Sequence, residues 1–522
     1  MENLIIGLQQ FADPIVLAAL IFGTFLGLTV GALPGLNDSI TIAVLIPITF
    51  GMNPHVALAL LVGIYCASSC GGSIPAVLLD IPGTASSMIT ALDGHPMSLM
   101  GKSKQALSLC MTSSVFGGIS SSLVLLFFAP ILASYALKFG PPEYFMLAIL
   151  GLSTVIGMAG KNAAKNFLAM SIGLWLSCIG MSPTTGIARF TFGNSNLFDG
   201  IPLIPRMIGL FGVLSILKMY DAHKKKSHMS QSEITETAAN EPELTEINSE
   251  AEGTSAFTDE EDKIALPNLK MTKRLLPTWL RSSFIGNILG VIPGAGMTMA
   301  IFVAYDQAQK SKPDLEFGTG VPEGIAAPES ANNAVVASSM VPLLSLGIPG
   351  NSTSALFLGA LTIQGLRTGP TLFKDSPDIA YLVIVGFLLA NIVMLPMSLA
   401  YCKYFASKVL KLNPHILGAA VLVLCVTGTF AYANNVFHIY AMTFFGLLGY
   451  VIWKFDIPQA PLILTSILGS MMESNWISTQ AYGGAIAFIE RPVSRILVIL
   501  ALIFVFSPVI KSIKSRFKAK AA

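Results

Sequence analysis

Charged residues are scarce in this sequence: Asp, Glu, Lys and Arg make up 11% of 522 residues, against 53% hydrophobic residues. Soluble globular domains carry about 25% charged residues, so the composition excludes an ordinary water-soluble protein. Runs such as Pro14 to Leu33 and Tyr381 to Tyr401 reach the roughly 20 residues that cross a bilayer as a helix. They do not alternate apolar and polar residues, as barrel strands would. An all-α polytopic membrane protein is therefore predicted.

The sequence also lacks the patterns of several kinds of site. Its six cysteines lie in apolar surroundings without a His or Cys cluster, so we expect buried side chains and no structural metal. No G-x-x-x-x-G-K-[ST] nucleotide-binding motif occurs, and no H-E-x-x-H, G-x-S-x-G, or paired Y-D and G-x-G-D signature of a hydrolase. The first apolar run has no basic flank or small-residue cleavage site, so no removable signal peptide is expected. We expect no enzyme activity and no cofactor.

One polar segment separates two regions of the sequence that are otherwise rich in hydrophobic residues. Eleven of the 29 carboxylates lie between Glu233 and Asp262, in a stretch poor in apolar residues that is typical of disorder. The chain therefore divides into a first transmembrane part at 1–222, a polar cytoplasmic linker at 223–280, and a second transmembrane part with a basic tail at 281–522.

The two halves share short motifs in the same order, which indicates a duplication. Basic residues flank the linker and fill the tail, so both ends of the second half are expected in the cytoplasm, whereas the start of the chain, without Lys or Arg, is expected outside. We therefore predict about a dozen transmembrane helices in two inverted repeats. The matching segments are Phe25 to Thr41 with Phe284 to Ala300, Leu78 to Gly94 with Ser345 to Leu361, and Lys138 to Leu152 with Lys411 to Leu424.

Proline-glycine pairs interrupt the apolar runs at four related places. Neither residue continues a helix well, and freed backbone groups in a membrane are tolerated only where protein or water lines them. We therefore expect broken helices or re-entrant hairpins around a protected cavity. The predicted breaks are Pro34 and Gly35, Pro82 and Gly83, Pro293 and Gly294, and Pro349 and Gly350.

Hydroxyl and amide side chains follow each break, where they can cap a restarting helix. A helix N-terminus carries unpaired N–H groups and a partial positive charge, which bind carboxylates or phosphates without a lysine. Each of these residues could instead serve only capping or helix packing. The predicted substrate-binding residues are Asn37, Ser39, Thr84, Ser86, Ser87, Thr298, Asn351, Ser352, Thr353 and Ser354.

Ionisable residues inside apolar segments are costly and usually functional. Asp80 and Glu329, supported by Asn332 and Asn333, are predicted to bind a coupling cation or carry a proton, although the carboxylates could equally satisfy broken backbone. Asp38 and Asp93 are interpreted as a helix cap and a loop residue. Arg189 could pair with an anionic substrate; its alternative role is to anchor the chain at the membrane interface.

Several motifs resemble one known family. "GALPGLNDSITIAVLIPITF", "IPGTASSMITALDGHPM", "PTTGIARFTFG", "GVIPGAGMT" and "PEGIAAPESANNAVVASSMVPLLSLGIPGNSTSALFLGAL" are similar to the large membrane subunit of bacterial tripartite tricarboxylate transporters, the TctA type. The resemblance covers nearly the whole chain except the linker. It implies a multi-pass inner-membrane permease that takes up citrate-like or other carboxylates, with Na⁺ or H⁺ as coupling ion. It also implies two partners, a small membrane subunit and a periplasmic solute-binding protein.

Two other functions stay open on the residues alone. A standalone divalent-anion/sodium symporter would also join Ser, Asn and Thr to helix breaks, but would need no binding protein. An intramembrane hydrolase could use Asp80 and Glu329, although the paired catalytic signatures are absent. The short basic clusters between apolar spans follow membrane topology, so no nucleic-acid partner is expected.

Overall fold

Helices form nearly all of the regular structure in this computed structural model, as the composition predicts. It describes residues 2–33, 38–81, 83–157, 163–182, 185–218, 220–221, 263–294, 296–409 and 414–521. The helices of the first half are α1 (Glu2–Gln10), α2 (Pro14–Gly31), α3 (Asp38–Leu45), α4 (Pro54–Gly71), α5 (Ser73–Leu79), α6 (Met88–Met97), α7 (Ser103–Ala136), α8 (Pro141–Gly157), α9 (Ala163–Ser177) and α10 (Leu203–Ile208).

The second half is also helical. One small sheet, in the first half, accompanies the helices of the described chain. Strands β1 (Gly180–Met181) and β2 (Ala188–Arg189) pair antiparallel. The second-half helices are α11 (Leu269–Val291), α12 (Gly296–Ser311), α13 (Pro322–Ser338), α14 (Met340–Leu346), α15 (Ser352–Ile363), α16 (Leu372–Asp375), α17 (Pro377–Tyr404), α18 (Ala406–Val409), α19 (Pro414–Ala433), α20 (Val436–Lys454), α21 (Gln459–Thr479), α22 (Ala487–Glu490) and α23 (Pro492–Ala521).

Helices α2 and α4 lie side by side and run in the same direction. Gly27 of α2 faces the backbone of Ile64, and Gly31 faces the backbone of Ser68, so both contacts advance together along the two helices. The missing side chains let the two backbones approach closely, as small residues do in membrane helix pairs. Because α2 and α4 share a direction, the chain must return between them, and α3 supplies that return as the second arm of a hairpin.

The second half repeats this arrangement with its own residues. Gly286 of α11 faces the backbone of Ala331, and Gly290 faces the Ser338 side chain and the Val335 Cα atom of α13. Gly286 and Gly290 occupy the positions that Gly27 and Gly31 hold in the matching motif. Helix α12 then returns as α3 does in the first half. The duplication predicted from the motifs therefore has a counterpart in how the helices pack.

The two hairpin sets run in opposite directions across the molecule. Contacts between α4–α5 and α13 pair early residues of one with late residues of the other: Tyr65 with Ser339, Ser69 with Asn332, and Ser73 with Glu329. Helix α4 is thus antiparallel to α13. The inverted orientation of the repeats is confirmed. We call the end where α2 and α4 begin the first end, and the end where α11 and α13 begin the second end.

Five stretches of the described chain are long and apolar enough to cross a membrane. The hairpin helices α3 and α12 are shorter, because each begins at a break in the chain. The prediction of an all-α polytopic membrane protein is confirmed. The five stretches are Pro14–Gly31, Pro54–Leu79, Ala85–Ala136, Pro377–Tyr404 and Val436–Lys454.

The predicted linker lies mostly outside the described residues, which resume at Lys263. Its last part, from Leu269, already belongs to α11, where Asn268 caps the helix by accepting a hydrogen bond from Met271 N at 2.9 Å. The boundaries of the two halves and the disorder of the acidic segment stay predictions.

Substitutions at the close helix contacts test this packing. A Cβ at Gly27 or Gly286 would overlap a carbonyl oxygen of the facing helix. We expect Gly27→Leu and Gly286→Leu each to destabilise the protein by about 2 kcal/mol or more, the upper part of the range for overpacked sites. Ala18→Leu, at an exposed position of α2, is the matched control. Heating the detergent-purified variants before size-exclusion chromatography measures the effect, and equal melting temperatures in all three would contradict the described contact.

Candidate functional site

The interrupted regions of both halves meet at one cavity of about 210 Å³. Its wall combines residues far apart in sequence, all but one of which belong to the four regions predicted to be broken. The lining residues are Asp38, Ser39, Thr84, Ala85, Ser86, Gly294, Gly296, Met297, Thr298, Asn351, Ser352, Thr353 and Leu464.

Four helical segments begin at this cavity. Helix α3 begins at Asp38, a short 3-10 helix that leads into α6 begins at Ala85, α12 begins at Gly296, and α15 begins at Ser352. The first N–H groups of a helix have no partner within the helix, and the aligned peptide dipoles place a partial positive charge there. The cavity wall contains no Lys or Arg among its described residues. Backbone N–H groups are therefore the source of positive charge in the described wall, which also contains the Asp38 carboxylate.

The start of α15 is held by a capping box. Asn351 Oδ1 accepts a hydrogen bond from Ser354 N at 2.7 Å, while Ser354 Oγ accepts one from Asn351 N at 2.8 Å. Asn351 Nδ2 also donates to the Tyr65 hydroxyl at 3.1 Å, which ties the cap to α4. Ser354 is fully buried behind this cap. Asn351 and Ser354 thus set the position of the helix start, as a cap does.

The matching break in the first half is capped in the same way. Thr84 N donates to Ser87 Oγ at 3.3 Å, and the hydroxyls of Thr84 and Ser86 lie 2.9 Å apart. Ser87 is buried and stays behind the cavity wall. Gly83 N donates to the Gly72 carbonyl at 3.1 Å, so the protein itself satisfies part of the broken backbone.

Hydroxyl groups join the two halves across the cavity. Ser39 Oγ, at the start of α3, lies 2.9 Å from Thr353 Oγ1 and 3.1 Å from Ser352 Oγ, at the start of α15. Gly294 N donates to the Gly350 carbonyl at 2.7 Å, which links the two breaks of the second half. A solute in this cavity would therefore contact both repeats.

The structure brings together most of the residues predicted to bind substrate. Ser39, Thr84, Ser86, Thr298, Asn351, Ser352 and Thr353 line the cavity, and Ser87 and Ser354 support it. Pro34, Gly35, Asn37 and Pro82 lie outside the described residues. Gly294 lines the cavity, and Pro293, Pro349 and Gly350 lie in the breaks beside it. Whether these residues bind substrate stays a prediction.

Asp38 lines the cavity, whereas the sequence analysis interpreted it only as a helix cap. Its side chain is buried, and its Oδ1 has no hydrogen-bond partner within the described part of the chain. A buried carboxylate oxygen without a partner is costly. The sequence places Asp38 shortly after a predicted break, which is compatible with a position at the cavity. The same placement is also typical of a helix cap, so the sequence did not distinguish the two roles.

Glu329 is fully buried and lies away from the cavity wall. Its Oε1 accepts hydrogen bonds from Ser73 and Thr90 at 2.5 Å each, and its Oε2 accepts one from Ser114 at 2.6 Å. One carboxylate of the second half thus joins α5, α6 and α7 of the first. The donor set resembles neither a solute site nor an open cation site, because both oxygens are already occupied by hydroxyls.

The other predicted coupling residues occupy different surroundings. Asn332 Nδ2 donates to the Ser69 carbonyl at 3.4 Å, while its Oδ1 has no partner among the described residues. Neither side-chain polar atom of Asn333 has a partner there, although both are buried. Asp80 instead is exposed, in a left-handed conformation (φ 54°) at the end of α5, and does not line the cavity.

Asp93 is also a buried carboxylate, and the sequence interpretation placed it in a loop. It lies in α6, where its Oδ1 accepts hydrogen bonds from the N–H groups of Gly318, Gly320 and Val321 at 2.9–3.0 Å. Its Oδ2 accepts one from the Tyr305 hydroxyl at 2.8 Å. Asp93 therefore fixes the connection between α12 and α13 to the first half.

Arg189 does not reach the cavity. Its two Nη atoms donate to Glu473 at 2.7 and 2.9 Å, in a bidentate pair between β2 and α21. This hydrogen bonding raises the pKa of the Arg189 guanidinium above its ordinary value, which keeps it charged. The pair lies in a separate pocket.

Known proteins similar to this chain point to one family. Residues 17–464 match the family described as "Tripartite tricarboxylate transporter TctA family". An uncharacterised 52.8 kDa protein in the TAR-I ttuC' 3' region of Agrobacterium vitis is 33% identical over 526 residues, covering 99% of this chain and 97% of that protein. An uncharacterised protein in the TAR-II ttuC' 3' region of the same organism is 34% identical over 234 residues, covering 44% and 96%. No solved structure matches the chain.

Removing the Glu329 carboxylate tests its place in the fold. Glu329→Ala leaves three buried hydroxyls without their acceptor, so we expect a loss of about 2–5 kcal/mol in unfolding free energy. Glu329→Gln should lose less, because its amide keeps an acceptor oxygen and can donate to one hydroxyl. Glu316→Ala, at an exposed position, is the control. Thermal unfolding of the purified variants measures the loss of stability. A Glu329→Ala variant that is as stable as the control would contradict the described hydrogen bonds.

Proposed function

This chain belongs to the tripartite tricarboxylate transporter TctA family, and from that membership we propose that it carries a carboxylate solute across a bacterial inner membrane as the large permease subunit of a tripartite system. An ion gradient, of Na⁺ or H⁺, drives the uptake. The solute is a tricarboxylate such as citrate or a related carboxylic acid.

One observation carries the proposal: four helical segments begin at a single cavity whose wall has no basic side chain among its described residues. Helix N-termini bind anions through their free N–H groups and dipoles. A site built from backbone groups can bind a carboxylate and release it again, because it lacks the strong bidentate pairing of an arginine. The cavity volume of about 210 Å³ lies below the roughly 300–1,000 Å³ typical of drug-sized ligands, which suits a small acid.

Asp38 provides the coupling in this proposal. Its carboxylate shares the cavity with the proposed anion site, and two negative charges so close together repel. A Na⁺ ion or a proton on Asp38 removes that repulsion. Cation binding thus favours the state that binds solute, which is the condition for coupled transport. Glu329 is the second candidate for a proton, although its three hydroxyl partners favour a structural role.

The inverted repeats give the cavity two routes of access. Helices α3 and α15 extend from it toward the first end, and α6 and α12 extend toward the second end. Lys102, Lys104 and Lys165, with Arg274 and Lys312, lie toward the second end, so by the positive-inside rule that end faces the cytoplasm. Movement of one repeat against the other would open the cavity to each side in turn.

Two protein partners complete the proposed system. A periplasmic solute-binding protein delivers the carboxylate to the first end, and a small membrane subunit packs against the helical bundle. The proposal predicts uptake only when all three proteins are present. Uptake by this chain alone would instead identify a standalone anion symporter.

The cavity hydroxyls are tested by transport in reconstituted vesicles. We expect Thr353→Val, which keeps the side-chain shape but removes the hydroxyl, to lower kcat/KM for carboxylate uptake by about 10- to 100-fold, the value of a hydrogen bond to a charged group. Ser171→Ala removes an exposed hydroxyl that donates only to the Phe167 carbonyl and serves as control. Radiolabelled citrate and a panel of dicarboxylates are the substrates, with all three subunits present. Unchanged uptake by Thr353→Val would place the site elsewhere.

The coupling role of Asp38 requires a separate measurement. We expect Asp38→Asn to lose the stimulation of uptake by an imposed Na⁺ or pH gradient while still exchanging solute across the membrane, because the amide cannot take up a cation or proton. Asp13→Asn changes an exposed helix cap at the first end and is the matched control. An Asp38→Asn protein that responds to the gradient as the wild type does would remove Asp38 from the coupling mechanism.

A further inference from the structure

A second pocket, of about 450 Å³, lies between the β1–β2 hairpin, α10 and α21. It is distinct from the transport cavity, although α21 borders both: Leu464 lines the cavity, and Ser466 lies in the second pocket. The pocket extends along α21 toward the first end, where Trp476 of this helix packs on Phe145 of α8. It therefore lies between the cavity and the surface proposed to receive solute.

Arg206 is the unusual residue of this pocket. Its side chain lines the pocket and the residue is only 6% exposed, yet its Nε has no hydrogen-bond partner in the described part of the chain. The ion pairs found among the described residues include none with Arg206. Burying an unpaired charge is strongly unfavourable, so buried arginines normally have an anionic partner.

Arg189 brings a second guanidinium to the same pocket. Glu473 accepts hydrogen bonds from both of its Nη atoms, which leaves the buried Nε without a partner among the described residues. The carboxylate of Glu473 compensates one positive charge. Asp199, the other acidic residue of the wall, forms no ion pair with Arg206 in the described structure, so the Arg206 guanidinium has no direct anionic partner there.

Serine hydroxyls complete the wall. Ser466, Ser470 and Ser474 recur every four residues on α21 and so share one face, which lines the pocket. Each now donates to a carbonyl of its own helix, and each can rotate to donate into the pocket. Guanidinium and hydroxyl donors together form a site for a carboxylate.

We propose that this pocket is a second anion-binding site, in which Arg206 and the α21 serines hold a small carboxylate before it enters the transport cavity. The inference rests on the proposed function for the identity of the anion, whereas the site itself rests on the buried guanidinium. Arg206 is a binding residue here, and Arg189, fixed by Glu473, borders the same site.

Counting bound anions tests the proposal. Equilibrium dialysis of the full chain in detergent with radiolabelled citrate should find two bound per chain, one in each site. Arg206→Met should bind one, and should be at least as stable to heat as the wild type, because an unpaired buried charge has been removed. Arg281→Gln, at an exposed arginine outside the pocket, is the control and should bind two. Unchanged binding by Arg206→Met, or its marked destabilisation, would overturn the inference.

A second variant fills the pocket without touching the arginines. Ser470 is exposed to the pocket, so Ser470→Trp should also remove one bound citrate. In vesicles, both variants should raise the KM for uptake about tenfold with kcat little changed. Inorganic phosphate should displace this citrate only weakly; displacement at equal concentration would overturn the carboxylate assignment. If the wild-type protein binds citrate in a way that requires Arg206 but shows no uptake in vesicles, that result would contradict the proposed transport function and leave the second anion site intact.

Discussion

A broken helix inside a membrane must have its freed backbone groups satisfied by protein or water, and the rest of this structure depends on that constraint. The breaks of both repeats cannot face lipid, so they face one another at the centre. Their convergence brings four helical N-termini, each with a partial positive charge, to one cavity that has no basic side chain among its described wall residues. The geometry that satisfies the broken backbone therefore also supplies the N–H groups on which the proposed anion site depends.

Much of this arrangement was predictable from the sequence, because duplication and proline-glycine breaks leave local signals. The matching motifs around Gly27 and Gly286 predicted equivalent helices, and both glycines contact the facing helix in the same way. The cavity hydroxyls were predictable since caps follow breaks directly in the chain. Asn351 and Thr84 indeed occupy capping positions at the cavity.

The carboxylates were harder to interpret, because their surroundings come from distant parts of the chain. Asp80 lies in an apolar stretch yet is exposed, at the end of α5 where its backbone is left-handed. Asp38 and Asp93 looked like ordinary cap and loop residues, although one lines the cavity and the other is surrounded by donors from the opposite repeat. Nothing in the sequence indicated the role of Arg206. Its lack of an anionic partner in the described structure depends on how distant parts of the chain pack around it.

Two buried carboxylates also bear on the order in which the protein can assemble. Glu329, from the second repeat, takes its hydroxyl partners from the first, and Asp93, from the first, takes its donors from the second. Tyr305 follows Asp93 by 212 residues and Gly318 follows it by 225, so Asp93 is synthesised well before its hydrogen-bond donors. The hydrogen bonds of Asp93 and Glu329 therefore form only after residues of both repeats have been synthesised.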